Sequence, residues 1–433
     1  MRKFFPLPGI VVSLATLGSI SSVYFFSYMQ RVAVPGTIFD ELQSEFSASA
    51  SAVAGLSVVL LYVYGAVQFV SGVWTDRLGA FRVLLTGGCV LCAGALLFPL
   101  SNGITALYAS RVLIAFGASL VYASIVKSLD KLFAARLFPI VLGISISIGY
   151  AGGLTGTMPF AVAVDRWGWR PTMIGIAALT AACLVVAALF ARRVSALRAG
   201  TGSSSGFAPI KTVIRNRHSI VVLTAASLNF SVYFLFQATL GKKMLHDIYH
   251  LPSTVAASFT GIMMVVTITC LCTSGLISRL IGYRRKPVIL FSSCCMLAGA
   301  VLMLLCIRYT LNYRLMLASY CLLGIVSLGS IMNNALLKEL NPPEVVGTAI
   351  GLGNGACYLM MGIYTTVTAG IMDRFATNAV VMDGVVKYPT EAYLTITVVS
   401  LVMLVVAFAA TCFIRETRGV PVYSTSGSTS ASR

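Results

Sequence analysis

The sequence predicts an all-α polytopic membrane protein, with twelve transmembrane helices in two pseudo-symmetric six-helix bundles. Hydrophobic residues make up 58 % of the chain and charged residues only 10 %, whereas about a quarter of the residues in a soluble domain are charged. Runs of mostly apolar residues recur along the chain, each long enough to span a bilayer, which takes about 20 residues. The longest hydrophilic interruption follows the sixth run, which divides the chain into two halves of six.

Short polar loops separate these apolar runs, which are the predicted spans 1 to 12. The stretch before the first run is short and charged, and the run leads straight into further runs. We therefore expect a membrane span there and not a cleaved signal peptide. The approximate bounds are 10–34, 50–73, 83–101, 104–126, 138–163, 171–191, 219–240, 254–277, 287–307, 314–336, 346–372 and 392–414.

The loops give the expected domains and orientation. Residues 1–191 form the first bundle, 192–218 a cytoplasmic central loop, 219–415 the second bundle and 416–433 a flexible cytoplasmic tail. Roughly 21 of the Lys and Arg residues fall on the side of the two termini, and the positive-inside rule places that side in the cytoplasm. We expect a monomer in a bacterial inner membrane.

Net charge and cysteine usage limit the partners and cofactors. The net charge of +18 follows mainly from this topology, and the chain has no room for a folded basic domain that would bind nucleic acid. The 11 cysteines lie in or beside apolar runs without zinc-type spacing, so they are expected to pack as small core residues. The expected partners are a small-molecule solute and the lipid bilayer, and no metal or other cofactor is expected.

Charge is distributed unevenly inside the apolar runs. Arg31 and Arg111 lie within them, whereas the 13 acidic residues fall in loops, at helix ends or near the termini. A cation at the bilayer centre costs at least about 2.5–3.5 kcal/mol on insertion scales, so it usually lines a water-filled cavity and faces a partner. Without an acidic side chain, the ligand is that partner. The alternative is that each arginine extends to the membrane surface, which is also the default for Lys242 and Lys243 at a helix end.

A loop motif after span 2 recurs after span 8. The first copy runs from Gly72 through Asp76 and Arg77 to Arg82, and the second, from Ser274 to Lys286, repeats a small residue, an Arg and a Gly at nearly the same spacing. The first copy resembles the G-x-x-x-D-R-x-G-x-x-R loop of the major facilitator superfamily. The resemblance implies a transporter and not an enzyme, with two bundles that rock around a central site. It assigns closure of the cytoplasmic side to Gly72, Asp76, Arg77, Gly79, Arg82 and Arg279, although these can also be ordinary loop charges.

Further stretches extend the resemblance along nearly all of the chain. The segment from Arg111 to Gly117 resembles the superfamily's helix 4 signature, and Trp169-Arg170 matches the usual start of helix 6. Four glycines resemble its glycine-rich helix 5 and fit a packing role. In the second loop copy, Ser278 replaces the family's acidic residue. The four glycines are Gly149, Gly152, Gly153 and Gly156.

Two stretches point to branches within the superfamily. Tyr28-Met29-Gln30-Arg31 resembles the Y-x-x-R pattern of organic anion and organophosphate transporters, in which the arginine faces the central cavity. The stretch from Lys338 to Asn354 resembles phagosomal nutrient and amino-acid transporters. Gln30 and Ala118 occupy positions where related proton-coupled transporters carry carboxylates. The resemblance therefore favours exchange or facilitated diffusion over protonation of a buried side chain.

The predicted substrate site combines the two arginines with polar residues of several spans. An amide in hydrocarbon needs hydrogen-bond partners, so each either bonds a neighbouring helix or reaches the cavity. The predicted function is secondary active or facilitative transport of a small anionic or zwitterionic solute, namely an amino acid, short peptide or organic acid. The alternatives are a drug or metabolite efflux pump and a transporter-like membrane sensor. The candidate residues are Tyr28, Gln30, Arg31, Arg111, Asn229, Gln237, Asn333, Asn334 and Asn354.

Overall fold

The computed structural model describes residues 10–133, 138–195, 208–342, 345–382, 385–420 and 422. Apolar runs of this length form helices because a helix satisfies every backbone N–H and C=O group internally, which a bilayer requires. The first half of the chain contains α1 (Ile10–Ala33), α2 (Phe39–Glu45), α3 (Ala50–Leu78), α4 (Ala80–Leu100), α5 (Ile104–Leu132), α6 (Phe138–Thr155), α7 (Met158–Trp167) and α8 (Trp169–Ser195).

The second half follows the same plan. Its connection to the first half includes the short helix α9 (Ala208–Arg215). The helices after it are α10 (Arg217–Phe234), α11 (Gly241–Tyr249), α12 (Ser253–Leu280), α13 (Lys286–Arg308), α14 (Tyr313–Gly324), α15 (Val326–Leu340), α16 (Val346–Arg374) and α17 (Thr390–Cys412).

Ten helical stretches of the described residues are long and apolar enough to cross a membrane, judged by length and composition. They match ten of the twelve predicted spans, and the all-α polytopic class is confirmed. The other two predicted spans, 10–34 and 138–163, correspond to helix α1 and to the pair α6 and α7.

Three predicted spans are not continuous α-helices. Span 5 divides into α6 and α7 where Pro159, which has no backbone N–H, begins a new first turn. Span 7 continues from α10 into a π-helical segment, Leu235–Thr239. Span 10 breaks at Ile325 between α14 and α15. Apolar length predicted these spans but could not show the interruptions.

Close helix packing joins the elements. Helix α6 lies against α1 at Gly152, where an added Cβ would lie 2.0 Å from the carbonyl oxygen of Phe25. Between the two halves, α3 packs on α16 and α12 packs on α6 and α7. A small antiparallel hairpin of β1 (Val380–Met382) and β2 (Val385–Lys387) precedes α17, and β2 contacts α2 of the first half.

Candidate functional site

A cavity of about 740 Å³ lies between the two halves. Helices α1, α3, α5 and α6 line it from the first half, and α10, α12, α15 and α16 from the second. Its volume falls within the range of small-molecule pockets, roughly 300–1,000 Å³. One arginine, Arg31, lies in a wall that is otherwise aromatic, apolar or weakly polar. The aromatic part of the wall includes Tyr24, Tyr28, Tyr64, Tyr122, Tyr150 and Tyr358.

Arg31 is held by hydroxyl and aromatic groups. Its Nη1 donates a hydrogen bond of 2.6 Å to the hydroxyl of Tyr358, across the boundary between the halves. Its guanidinium carbon lies 4.4 Å from the ring centre of Tyr64 and 4.8 Å from that of Tyr28, within the range of cation–π attraction. Nε and Nη2 are buried and have no hydrogen-bond partner. Two donors of a buried cation therefore lack a partner among the described residues.

The negative charge that Arg31 requires is missing from the described part of the cavity wall. Among the described lining residues there is no Asp, Glu or His. A buried charge without a counter-ion is costly, and a planar guanidinium meets a carboxylate or phosphate with two parallel hydrogen bonds. The arrangement is suited to an anionic ligand.

The predicted substrate residues separate into two groups. Tyr28, Arg31, Asn334 and Asn354 line the cavity together. The other five are buried but do not belong to its lining, and they are Gln30, Arg111, Asn229, Gln237 and Asn333.

Arg111 is fully buried and bonded only to backbone carbonyls among the described residues. Its Nε donates to Leu56 O at 3.1 Å, Nη1 to Gln30 O at 3.0 Å and Nη2 to Val34 O at 3.0 Å. The side chain neither extends to the membrane surface nor reaches the cavity. It ties the last turn of α1 to α3.

The remaining amides have different surroundings. Asn229 and Asn333 line a second pocket of about 30 Å³ inside the second half. Gln237 lies in the π-helical segment, and its Nε2 has no partner. The side-chain amide of Gln30 also has no partner, although its backbone carbonyl accepts from Arg111.

The predicted gating residues lie at the junction of α3 and α4 and at the end of α12. Gly72, Asp76 and Arg77 belong to α3, and their side chains lie outside the described part of the structure. Gly79 ends α3 with φ of +89°, a conformation that favours glycine. Arg82 and Arg279 are exposed. Their gating role stays a prediction.

At the equivalent junction of the second half, an ion pair joins Arg285, inside the second copy of the motif, to Glu339, which lies outside it. Arg285 pairs with Glu339 at 3.0 Å and donates to the hydroxyl of Ser278 at 2.5 Å. The backbone N–H of Arg285 donates to Glu416 at 2.9 Å. Ser278 therefore accepts a hydrogen bond at the position where the family carries an acidic residue.

The two halves are joined at one end of the molecule, here named the sealed end. It comprises the α1–α2 connection and α2 on one side, and the π-helical segment Leu235–Thr239, α11 and β2 on the other. Gly36 N donates to Ala238 O at 3.1 Å, and Lys243 Nζ lies 2.5 Å from a carboxylate oxygen of Asp40. The ammonium of Lys242 donates to the carbonyl of Thr37.

These contacts correct the interpretation of Lys242 and Lys243 as side chains that extend to the membrane surface. Both are buried, and Lys243 is enclosed between Asp40 and Asp247, 3.4 Å from the latter. Asp247 also accepts from the hydroxyl of Tyr393 at 2.6 Å. The acidic partners come from loops and short helices, so their proximity could not be predicted from the apolar runs.

Burial and pairing shift the carboxyl groups of the sealed end in opposite directions. Burial would raise the pKa of Asp40, but the hydrogen bond with His246 and the charge of Lys243 outweigh it and hold that pKa below its usual range. Burial dominates at Asp247 and raises its pKa despite the charge of Lys243. The same carboxylates raise the pKa of Lys243 against the effect of burial.

The cavity extends away from the sealed end. The hydroxyl of Thr37 donates to Gly156 O at 2.8 Å, so the C-terminal end of α6 lies there. Gly143, an exposed lining residue thirteen positions earlier on the chain, is roughly 20 Å farther along the molecule at 1.5 Å per helical residue. Arg31 precedes Thr37 by six residues and therefore lies near the inner limit of the cavity.

The sequence did not predict most of the tyrosine wall, because tyrosine is common at membrane interfaces and does not by itself indicate a cavity. A signal was nevertheless present in α1. Tyr24, Tyr28 and Arg31 follow one another at intervals of four and three residues, which places them on one helix face. Tyr358, from the other half of the chain, gave no such local signal.

The sequence model of the Major Facilitator Superfamily matches residues 20–365. The chain is 23 % identical to monocarboxylate transporter 2 of Mesocricetus auratus over 78 % of this chain and 74 % of that protein. It is 27 % identical to human monocarboxylate transporter 11 over 34 % of this chain, and this match spans about a third (31 %) of that relative's length.

Solved structures of low sequence identity share the fold. A bacterial homologue of the human lysosomal transporter Spinster, in an inward-facing and unoccupied conformation, has a TM-score of 0.77 at 14 % identity and covers 93 % of this chain and 97 % of that one. The nucleoside transporter NupG has a TM-score of 0.72 at 13 % identity, over 93 % and 100 % of the two chains.

Proposed function

The chain belongs to the Major Facilitator Superfamily and is a multi-pass membrane transporter, and from this premise we propose that its substrate is a small organic anion with one carboxylate. The observation that carries the proposal is the pair of free donors on Arg31 in a cavity whose described wall has no acidic side chain. A carboxylate bound there supplies the missing negative charge and accepts from both donors.

The cavity wall favours an organic acid with an apolar or aromatic body. Aromatic rings surround Arg31 on several sides, and Phe230 and Phe234 extend the apolar wall in α10. A free amino acid would bring an ammonium group, and the described wall offers it no carboxylate. Asn334 and Asn354 supply neutral hydrogen-bonding groups for the rest of the solute. The similarity to two monocarboxylate transporters supports the same class of substrate.

The sealed end supports a proposal about the conformation as well. Ion pairs and hydrogen bonds close the protein at that end, and the cavity extends towards the opposite end, where the basic loops lie. With those loops in the cytoplasm, the protein is closed to the periplasm and its site is approached from inside. The bacterial inner membrane and the cytoplasmic termini remain part of this proposal.

The test compares each carboxylic acid with its own amide on the purified protein. We expect aliphatic or aromatic monocarboxylates to raise the unfolding temperature and the matching amides to have no effect. A ligand at 100 times its dissociation constant stabilises the folded state by about 2.7 kcal/mol. Amino acids, dipeptides and nucleosides complete the panel. Equal shifts from acid and amide would contradict the assignment, and a larger shift from a zwitterion would favour an amino acid.

Replacing Arg31 tests whether its planar guanidinium group holds the substrate. In Arg31→Lys the positive charge remains, but one ammonium cannot make the bidentate contact. We expect the thermal shift by the best carboxylate to be lost, with affinity lower by at least roughly tenfold, while the unfolding temperature of the ligand-free protein changes little. Retained affinity in a folded Arg31→Lys protein would show that Arg31 does not hold the ligand.

A further inference from the structure

The second half contains a small polar pocket beside the central cavity. It holds about 30 Å³ and is lined by residues of α10, α13, α15 and α16, among them Asn229, Ser292 and Asn333. The pocket shares Phe230, Ser330 and Cys357 with the wall of the central cavity. It is too small for an organic solute but large enough for a water molecule or an ion.

Hydrogen bonds fix which end of the Asn229 amide faces the pocket. Thr411 uses its hydroxyl hydrogen on Ala407 O at 2.8 Å, so the contact of 3.3 Å between Ser293 and Thr411 is donated by Ser293. Ser293 must then accept, and it does so from Asn229 Nδ2 at 3.1 Å. The amide oxygen of Asn229 is left buried without a partner.

Two further oxygens complete an acceptor set. The amide oxygen of Asn333 is buried without a partner. Ser292 donates its hydrogen to Ile325 O at 3.0 Å, so its oxygen has lone pairs to offer. Asn229, Ser292 and Asn333 are each more than nine-tenths buried. The pocket therefore presents oxygens that can only accept, in a place where an unpaired acceptor is costly.

We propose that this pocket binds a monovalent metal cation of about the size of sodium. Hard cations prefer oxygen ligands, and a cation can accept lone pairs from three or more oxygens, whereas a water molecule has only two hydrogens to donate. The described lining has no carboxylate, and a divalent ion without one would leave two buried charges uncompensated.

The interrupted helix beside the pocket supports an ion site. Span 10 breaks at Ile325, whose carbonyl accepts from Ser292, and the next residue, Val326, lines the pocket. Interrupted helices recur at the ion sites of membrane transporters, because they bring polar backbone groups to the middle of the bilayer.

The position of the pocket connects ion binding to the central cavity. Cys357 lies in the wall of both, and its neighbour Tyr358 accepts the hydrogen bond from Arg31. A cation that holds α10, α13 and α15 together thus also supports the segment of α16 that presents Tyr358. Bound sodium would couple to transport without protonation of a side chain, and this mode is an alternative to the exchange or facilitated diffusion expected from the sequence.

The experiment uses the full-length purified protein without any organic substrate, so its outcome does not depend on the proposed carboxylate. Unfolding temperatures are compared in sodium, lithium, potassium and choline chloride at equal ionic strength, and radioactive sodium binding is measured directly. We expect a saturable rise in sodium above that in choline. Asn333→Leu and Ser292→Ala should each raise the half-saturating sodium concentration by roughly tenfold or more. If one of the two variants does not fold, the other still tests the proposal.

The matched control is Ser227→Ala, the same change as Ser292→Ala at a buried serine of α10 whose hydroxyl also donates to a backbone carbonyl and which lines neither this pocket nor the central cavity. Its response to sodium in the absence of substrate should equal that of the unchanged protein. Equal unfolding temperatures in all four salts, with no bound radioactive sodium, would show that the pocket holds water only and would overturn the proposal. Sodium binding that survives both Asn333→Leu and Ser292→Ala would overturn it too, because the ion would then lie elsewhere.

Discussion

At the scale of the residue, the two buried arginines differ in what satisfies them. The three nitrogens of Arg111 donate to backbone carbonyls, so the partial negative charges of these carbonyl oxygens stabilise its positive charge. Arg31 has one hydroxyl partner, aromatic neighbours and two free donors. In similar apolar runs, the same side chain is therefore fully paired in one case and left with two unpaired donors in the other.

This contrast predicts that replacing Arg111 affects stability and not ligand binding. Arg111→Lys keeps the charge, but one ammonium nitrogen cannot reproduce the contacts that three separate nitrogens make with three carbonyls, so the free energy of unfolding should fall by about 2–5 kcal/mol. Carboxylate affinity of the folded fraction should change little, because Arg111 does not line the cavity. Thermal unfolding and ligand titration measure the two effects, and Arg31→Lys, with the opposite pattern, is the control. Lost affinity with unchanged stability would place Arg111 in the binding site.

At the scale of the element, the end of α1 shows why a glycine is needed between two helices of different halves. The N–H of Gly36 donates to Ala238 O, and a Cβ on Gly36 would lie 2.4 Å from that oxygen. No side chain fits at that distance, so this close approach depends on glycine. Gly18, in α1 itself, has nothing within 4 Å of an added Cβ.

We therefore predict that Gly36→Ala separates the two halves at the sealed end. Spin labels on the exposed residues Ser44 and Thr377 report the distance across that end. The distance distribution should shift to longer values and transport should slow, because the sealed state is destabilised by a steric clash. Gly18→Ala is the matched control and should behave as the unchanged protein. Identical distributions for both variants would show that the approach at Gly36 does not help to close this end.

At the scale of the whole molecule, the sealed end decides which side of the transporter is closed. Lys243 contacts carboxylates from both halves, Asp40 of α2 and Asp247 of α11. Removing one partner of a buried ion pair costs about 3–5 kcal/mol, which is enough to reverse a two-state equilibrium of ordinary size. A movement that opens this end must separate Lys243 from Asp40.

The pH dependence of the sealed end follows from the two carboxyl groups. Because the pKa of Asp40 is low, its carboxylate is charged and stabilises the sealed end at neutral pH. This stabilisation is lost only when the pH falls below the usual carboxyl range. The raised pKa of Asp247 means that it takes up a proton first. The distance between the spin labels in the unchanged protein should stay the same from about pH 8 to about pH 5, because Asp40 remains charged and paired with Lys243 over this range.

In Asp40→Asn, Lys243 depends on Asp247, whose charge is lost more easily as the pH falls. We predict a partial opening at about pH 8 that increases towards about pH 5. His246, which contacts Asp40 at 2.9 Å, loses the same partner. Asp40→Glu, which keeps the charge, is the control. A variant Asp40→Asn that opens no further on acidification would contradict the assigned role of Asp247.

Three features follow from the sequence alone: the membrane class, the approximate bounds of the spans, and arginines inside apolar runs that contain no acidic residue. These features are local, because they depend on the length and polarity of continuous segments. The contacts between helices, in contrast, depend on the tertiary structure, because they are set by which face of each helix packs against which other helix. The tertiary structure placed Tyr358 beside Arg31, enclosed Arg111 among carbonyls and brought Asn229 and Asn333 into a pocket of their own. Asp40 and Lys243 lie 203 positions apart in the chain, and only the packing of the two halves makes them neighbours.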